Sequence, residues 1–199
     1  MIIIGLSGQS GAGKTTALEI FEEKGFEVLD CDKVSRHVMK KDTPCTKELI
    51  FVFGEEILFE DGEINRKKLG EIVFFDKEKL AILTEITHRY IKEEIYKEIE
   101  KAKRENKKVF VLDAPLLFES GLDKICDITL GIVASKEKRI DRIVERDGIT
   151  REIAEKRIES QLDEEKLKKL THVTIENNLS IEEFEKAIYT FIESKGLEK

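Results

Sequence analysis

Ile2-Ile-Ile-Gly-Leu-Ser-Gly8-Gln-Ser-Gly-Ala-Gly13-Lys14-Thr15, at the start of the chain, is the stretch whose reading decides the fold. Ile2-Ile3-Ile4 is a β-branched run, the mark of a strand buried on both faces of a parallel sheet. From Gly8 the sequence matches G-x-x-x-x-G-K-[ST] in full, and Lys14 opens a helical stretch. A strand, a glycine-rich turn and a helix in that order form a phosphate cradle. The glycines let successive backbone N–H groups converge on phosphate oxygens, and the helix amino terminus adds partial positive charge. Gly8, Ser10, Gly11, Ala12, Gly13, Lys14, Thr15 and Thr16 are therefore the candidate nucleotide-holding residues. Lys14 would reach the β- and γ-phosphates of ATP, and the Thr15 hydroxyl would ligate Mg²⁺.

Outward from this motif, Gly25 is placed to stop the first helix, and Phe26 to Leu29 reads as a second strand ending at Asp30. Strand character returns at Val109 to Leu112, Ile128 to Val133 and Val173 to Ile175, each followed by a helical segment. Between them, about 34–104 is dominated by helical signals. Leu83, Ile86, Tyr90, Ile91, Ile95 and Ile99 recur at three- and four-residue spacing, the pattern of a long amphipathic helix. Asp61-Gly62 signals a turn, Asn65 is a candidate cap for a helix carrying Leu69, Ile72 and Val73, and Ser180-Ile-Glu-Glu183 is a capping box. No internal repeat or low-complexity segment interrupts the pattern. The expected class is α/β, with a parallel sheet and an inserted helical subdomain.

Three further constellations bear on chemistry. Asp30-Cys31-Asp32 stands at the carboxyl end of the second strand, where ligands sit in open α/β sheets. A carboxylate there can accept a hydroxyl proton, or it can cap a turn. Asp32, further beyond the strand, is the better base of the two. Val109-Phe-Val-Leu-Asp113 is an apolar strand ended by an acid, the form in which such an aspartate helps hold Mg²⁺. Arg139, Arg142 and Arg146 fall on one face of one helix, opposite Ile140, Ile143 and Val144. They read either as arginines that clamp phosphate or as a solvated, salt-bridged face.

Composition sets the frame. The chain has 199 residues, 39% of them charged, with a net charge of -7. That charge argues against a general nucleic-acid binder. Cys31, Cys45 and Cys126 are widely spaced, with no C-x-x-C pair, so neither a disulfide framework nor a zinc site is expected and a reducing cytoplasm is the default. No stretch approaches the ~20 apolar residues of a membrane span, and the apolar start is too short for the core of a signal peptide.

Together these residues resemble the dephospho-CoA kinase family. The likeness runs from Ile4 to about Ser180: the phosphate loop, Val28-Leu-Asp-Cys-Asp32, Ile64-Asn-Arg66, Leu69, Val73-Phe74 and Ile86-Thr-His88. Ala114-Pro-Leu-Leu-Phe-Glu119, Arg142 to Asp147, Gln161 and Ile175-Glu-Asn177-Asn178 complete it. The resemblance implies a nucleoside-triphosphate-binding core at about 1–33 and 105–199, a helical acceptor-binding insertion at about 34–104 and a helical lid at about 135–165. It implies phosphorylation of the ribose 3′-hydroxyl of dephospho-CoA from ATP, the last step of coenzyme A synthesis, with Asp32 as base. It places Arg142 and Arg146 on the lid, Asn177 near the adenine of ATP, and Arg66, His88 and Leu116 with the acceptor. His88 reads equally as a contact to acceptor phosphate or as packing near a helix start, whereas His37 and His172 read as surface or structural residues.

The chain departs from the family pattern in places. Arg89 follows His88 where proline is usual, Arg139 stands where glutamine is expected, Leu179 replaces a glycine and His172 an aspartate. Two other readings share the motif: a kinase for another nucleoside or nucleotide, and a nucleotide-dependent switch protein, which would usually carry an N-K-x-D motif absent here. Oligomeric state is not legible.

Overall fold

The computed structural model describes residues 1–159 and 161–197. Ser160, inside the expected lid, and Glu198 and Lys199, at the end of the chain, lie outside the described residues. Among the described residues five strands form one sheet: β1 (Ile2–Gly8), β2 (Glu27–Asp30), β3 (Val109–Asp113), β4 (Ile128–Val133) and β5 (Val173–Glu176), in the order β2-β3-β1-β4-β5. The β1–β3, β1–β4 and β4–β5 pairings are parallel. The helices are α1 (Lys14–Glu23), α2 (Cys31–Val38), α3 (Pro44–Phe53), α4 (Arg66–Val73), α5 (Lys77–Arg104), α6 (Lys136–Asp147), α7 (Arg151–Glu159), α8 (Glu164–Leu170) and α9 (Ile181–Ser194). Among the described residues no helix is long and apolar enough to cross a membrane.

The chain divides into two compact units: Met1–Leu29 with the stretch from Ala102 onward, and Asp30–Lys101. In the first, β1 is central, and Ile4 and Leu6 are fully buried on its two-sided strand. Phe21 of α1 and Phe184, Ile188 and Phe191 of α9 pack with Ile4, Val111 and Ile132 into one core. The opposite face of β1 is kept open at Gly5, where a Cβ would lie 2.7 Å from Cys126 Sγ and 2.9 Å from Leu117. Leu117 belongs to the turns that follow β3. The helix expected directly after that strand is not formed there; the chain turns through Pro115 to Gly121 and makes one 3-10 helix, Leu122–Ile125.

The second unit is helical. Thr43 caps α3 by accepting from the Thr46 amide, and Asn65 caps α4 by accepting from the Lys68 amide. Cys45, Leu49, Ile57, Leu69 and Ile95 are its most enclosed apolar residues. Helix α5 runs unbroken through Arg89, so the local turn that a proline would impose is absent. The capping box at Ser180 and Glu183 forms as read, with both reciprocal bonds present at the start of α9.

Candidate active site

The loop between β1 and α1 takes its shape from two left-handed glycines, Gly11 (φ 76°) and Gly13 (φ 109°). Gly13 is required twice over, because a Cβ there would also stand 2.3 Å from Asn177 Nδ2. Gly13 is the cap residue of α1, no side chain caps this end, and the first turn holds no acid. The orphan N–H groups and the positive end of the helix dipole are thus left for an anion. Thr15 is exposed and Thr16 half-buried in that first turn.

Strand register brings the third constellation to the loop. β3 pairs with β1 so that Asp113 stands opposite Leu6, on the strand just before Gly8. From there its Oδ1 accepts from Lys14 Nζ at 2.6 Å, with both side chains largely shielded from water. The loop's cation and the strand-end acid therefore meet directly.

Helix α6 grips the loop from behind. Arg142 donates through Nη1 to the Gly11 carbonyl at 3.1 Å and through Nη2 to the carbonyl and Oδ1 of Asn177, each at 3.2 Å. Asn177 is buried, and its Nδ2 donates to the Ala12 carbonyl at 2.9 Å. The resemblance places Asn177 near adenine; in the structure both ends of its amide are engaged by protein groups, and it holds the loop. Arg146 does not join this group. It is exposed and paired with Asp147 at 2.7 and 3.0 Å, and among the described residues it makes no bond to the loop. The Arg146 guanidinium, followed by Arg157, lowers the Asp147 carboxyl to about 2.

Further contacts to the loop come from Arg139, one of the three arginines offered as a phosphate clamp, and from Gln161 and Gln9. Arg139, only 3% exposed, donates from Nε to the Ser10 carbonyl and from Nη2 to Gln161 Oε1, both at 3.1 Å. Gln161 in turn accepts from the Ser10 amide at 3.0 Å and donates to Ser10 Oγ at 2.8 Å. Gln9 Nε2 donates to the Leu162 carbonyl at 2.6 Å. Leu116 is exposed beside the loop and lines a recess of about 140 Å³ with Gly8, Gln9, Glu119 and Leu162. His172 is structural, its Nδ1 accepting from the Thr129 amide at 2.9 Å between β4 and β5.

In the helical unit the two aspartates separate in role. Asp30 caps α2, its Oδ1 accepting from the Asp32 and Lys33 amides at 2.9 and 3.0 Å. Asp32 is exposed in the first turn of the same helix, and among the described residues its carboxylate has no bonding partner. Arg66 is exposed as the first residue of α4. His88 lies within α5 rather than at its start; burial, then the neighbouring Lys92, pushes its imidazole below the ordinary value. Arg89 and Tyr90 both donate to Glu48, tying α5 to α3, and the Arg89 bond holds the Glu48 carboxyl low.

Residues 2–183 match the model of the family described as CoaE, dephospho-CoA kinase. A dephospho-CoA kinase of Fusobacterium nucleatum is 44% identical over 194 residues, covering 98% of each chain. A crystal structure of TT1252 from Thermus thermophilus superposes with a TM-score of 0.81 at 30% identity, over 97% of both chains. Dephospho-CoA kinase from Campylobacter jejuni gives a TM-score of 0.72 at 31% identity over 98% of both. With the phosphate loop formed and the match continuous through both units, the chain belongs to the dephospho-CoA kinase family.

Proposed function

We propose that this kinase transfers the γ-phosphoryl group of ATP to the 3′-hydroxyl of the ribose of dephospho-CoA, giving coenzyme A and ADP. The loop amides, the open amino terminus of α1 and Lys14 bind the triphosphate. Asp32 takes the proton from the 3′-hydroxyl as the new O–P bond forms and the bond to the β-phosphate oxygen breaks. The carboxylate free of capping duty is the one given this role, because Asp30 is committed to the α2 amides. The 34–104 helical region holds the acceptor through Arg66 and His88, Leu116 contacts it from beside the loop, and residues 135–165 act as a lid that excludes water.

The donors present suit Mg²⁺. Asp113 and Thr15 offer a carboxylate and a hydroxyl next to Lys14, and Mg²⁺ usually takes one or two protein oxygens with phosphate and water. Among the described residues there is no cluster of three acidic, histidine or cysteine side chains that would form an all-protein cage. Bound there, the ion would neutralise charge on the β- and γ-phosphate oxygens.

The observation that carries the reading is the unbroken family match over residues 2–183, spanning the formed loop, Asp32 and Asn177. The test is an acceptor screen with MgATP, comparing dephospho-CoA, nucleosides and nucleoside monophosphates. Turnover confined to dephospho-CoA supports the proposal; turnover confined to a nucleoside or nucleotide overturns it.

A further inference from the structure

We propose that Arg139 is a positioning residue of the phosphate loop whose buried, carboxylate-free charge strengthens the loop's grip on triphosphate. The inference rests on reading this loop as the ATP phosphate site. Arg139 and Arg146 lie on the same helix and meet opposite fates. Arg146, at the surface, is neutralised by Asp147. Arg139 is 3% exposed, and among the described residues no carboxylate lies within ion-pair distance; its named partners are the neutral oxygens of Ser10 and Gln161.

A buried cation without an anion is costly unless something nearby compensates it. The guanidinium keeps its proton through that cost, since its ordinary value is far above neutrality. Burial does lower it, against a weaker opposing pull from Glu164. The obvious compensating anion is the one the loop is shaped to hold. Arg139 meets the loop with its backbone as well: a Cβ on Gly11 would lie 2.7 Å from the Arg139 carbonyl oxygen. With Gln161 it engages the N–H, the carbonyl and the hydroxyl of Ser10, fixing the loop from outside while the α1 amides stay open inside. A cation in this position acts on phosphate through low-dielectric protein, where its effect is larger than at the surface.

The test measures equilibrium binding of ATP, ADP and adenosine to the full chain by calorimetry, with no acceptor present. Arg139→Gln keeps a hydrogen-bonding side chain and removes the charge. Its ATP affinity should fall roughly tenfold, its ADP affinity less, and its adenosine affinity not at all. Arg139→Lys keeps the charge and should hold ATP affinity within about threefold of the original. ATP affinity unchanged in Arg139→Gln overturns the proposal, as does an equal loss for ATP and adenosine, which marks general disruption of the loop. If Arg139→Gln does not fold, Arg139→Lys decides: retained ATP binding supports the role of charge, and binding lost for ATP but kept for adenosine overturns it. A charge-selective loss in a chain that phosphorylates no dephospho-CoA would sink the acceptor assignment alone. A chain that binds no ATP at all overturns both.

Discussion

Lys14 Nζ donates to Asp113 Oδ1 across 2.6 Å, joining the first residue of α1 to the last residue of β3. The contact exists because β1 and β3 are paired in parallel, so their carboxyl ends open on the same edge of the sheet. It sets the loop's cation beside the acid proposed for Mg²⁺, the one placed by the start of α1 and the other by the end of β3. Lys14→Met should reduce turnover by roughly 10²–10³-fold, the loss typical of one electrostatic donor to a transition state. Steady-state kinetics with MgATP check this, and a loss below about fivefold would remove Lys14 from the mechanism.

Asp30 and Asp32 give a paired test on neighbouring carboxylates. Asp30→Asn retains a good capping residue for α2, and turnover should stay close to that of the parent. Asp32→Asn should lower kcat by roughly 10²–10⁴-fold with ATP affinity preserved. Measuring kcat and ATP binding in both variants separates capping from proton transfer.

Gly13 should not tolerate a methyl group. Gly13→Ala imposes about 1–2 kcal/mol of left-handed backbone strain and drives Cβ into Asn177 Nδ2. ATP binding should be lost or strongly weakened, and the melting temperature should fall by several degrees. Thermal unfolding with and without ATP measures both.

The Asp147 pair predicts a pH dependence with a definite sign. Its carboxyl falls from 3.8 to about 2 in the folded chain, so folding favours the ionised form. The stability this contributes is present above the ordinary value and is lost as pH falls from about 4 towards 2. Asp147→Asn should therefore melt earlier than the parent at pH 6, and the gap should close as the pH is lowered to 2. Melting curves across that range check it.

What could be read from the sequence was local. The glycines of the loop, the caps at Asn65 and Ser180, and the acid ending Val109–Asp113 announce themselves within four to eight residues, because each is dictated by backbone geometry or strand burial. The grip on the loop was not legible. Gln161 meets Ser10 across 151 positions, Asn177 meets Ala12 across 165, and Arg139 meets Ser10 across 129. Such contacts depend on how helices return to the sheet, which no spacing encodes. Arg139 misled for a further reason: three arginines at helical spacing look alike, and only packing buries one while Asp147 claims another. The turns after β3 depart from the strand-then-helix alternation expected there, the chain forming only the short 3-10 helix Leu122–Ile125 before β4.

Transfer of one phosphoryl group from ATP to one particular hydroxyl is tested most directly on its product. The purified chain should be given ATP, Mg²⁺ and dephospho-CoA, and the product analysed by mass and by ³¹P and ¹H NMR. Stoichiometric ADP and a product one phosphate heavier are expected, with the new phosphate on the ribose 3′-oxygen. ATP bound but no phosphate transferred, or a phosphate on any other oxygen, would contradict it.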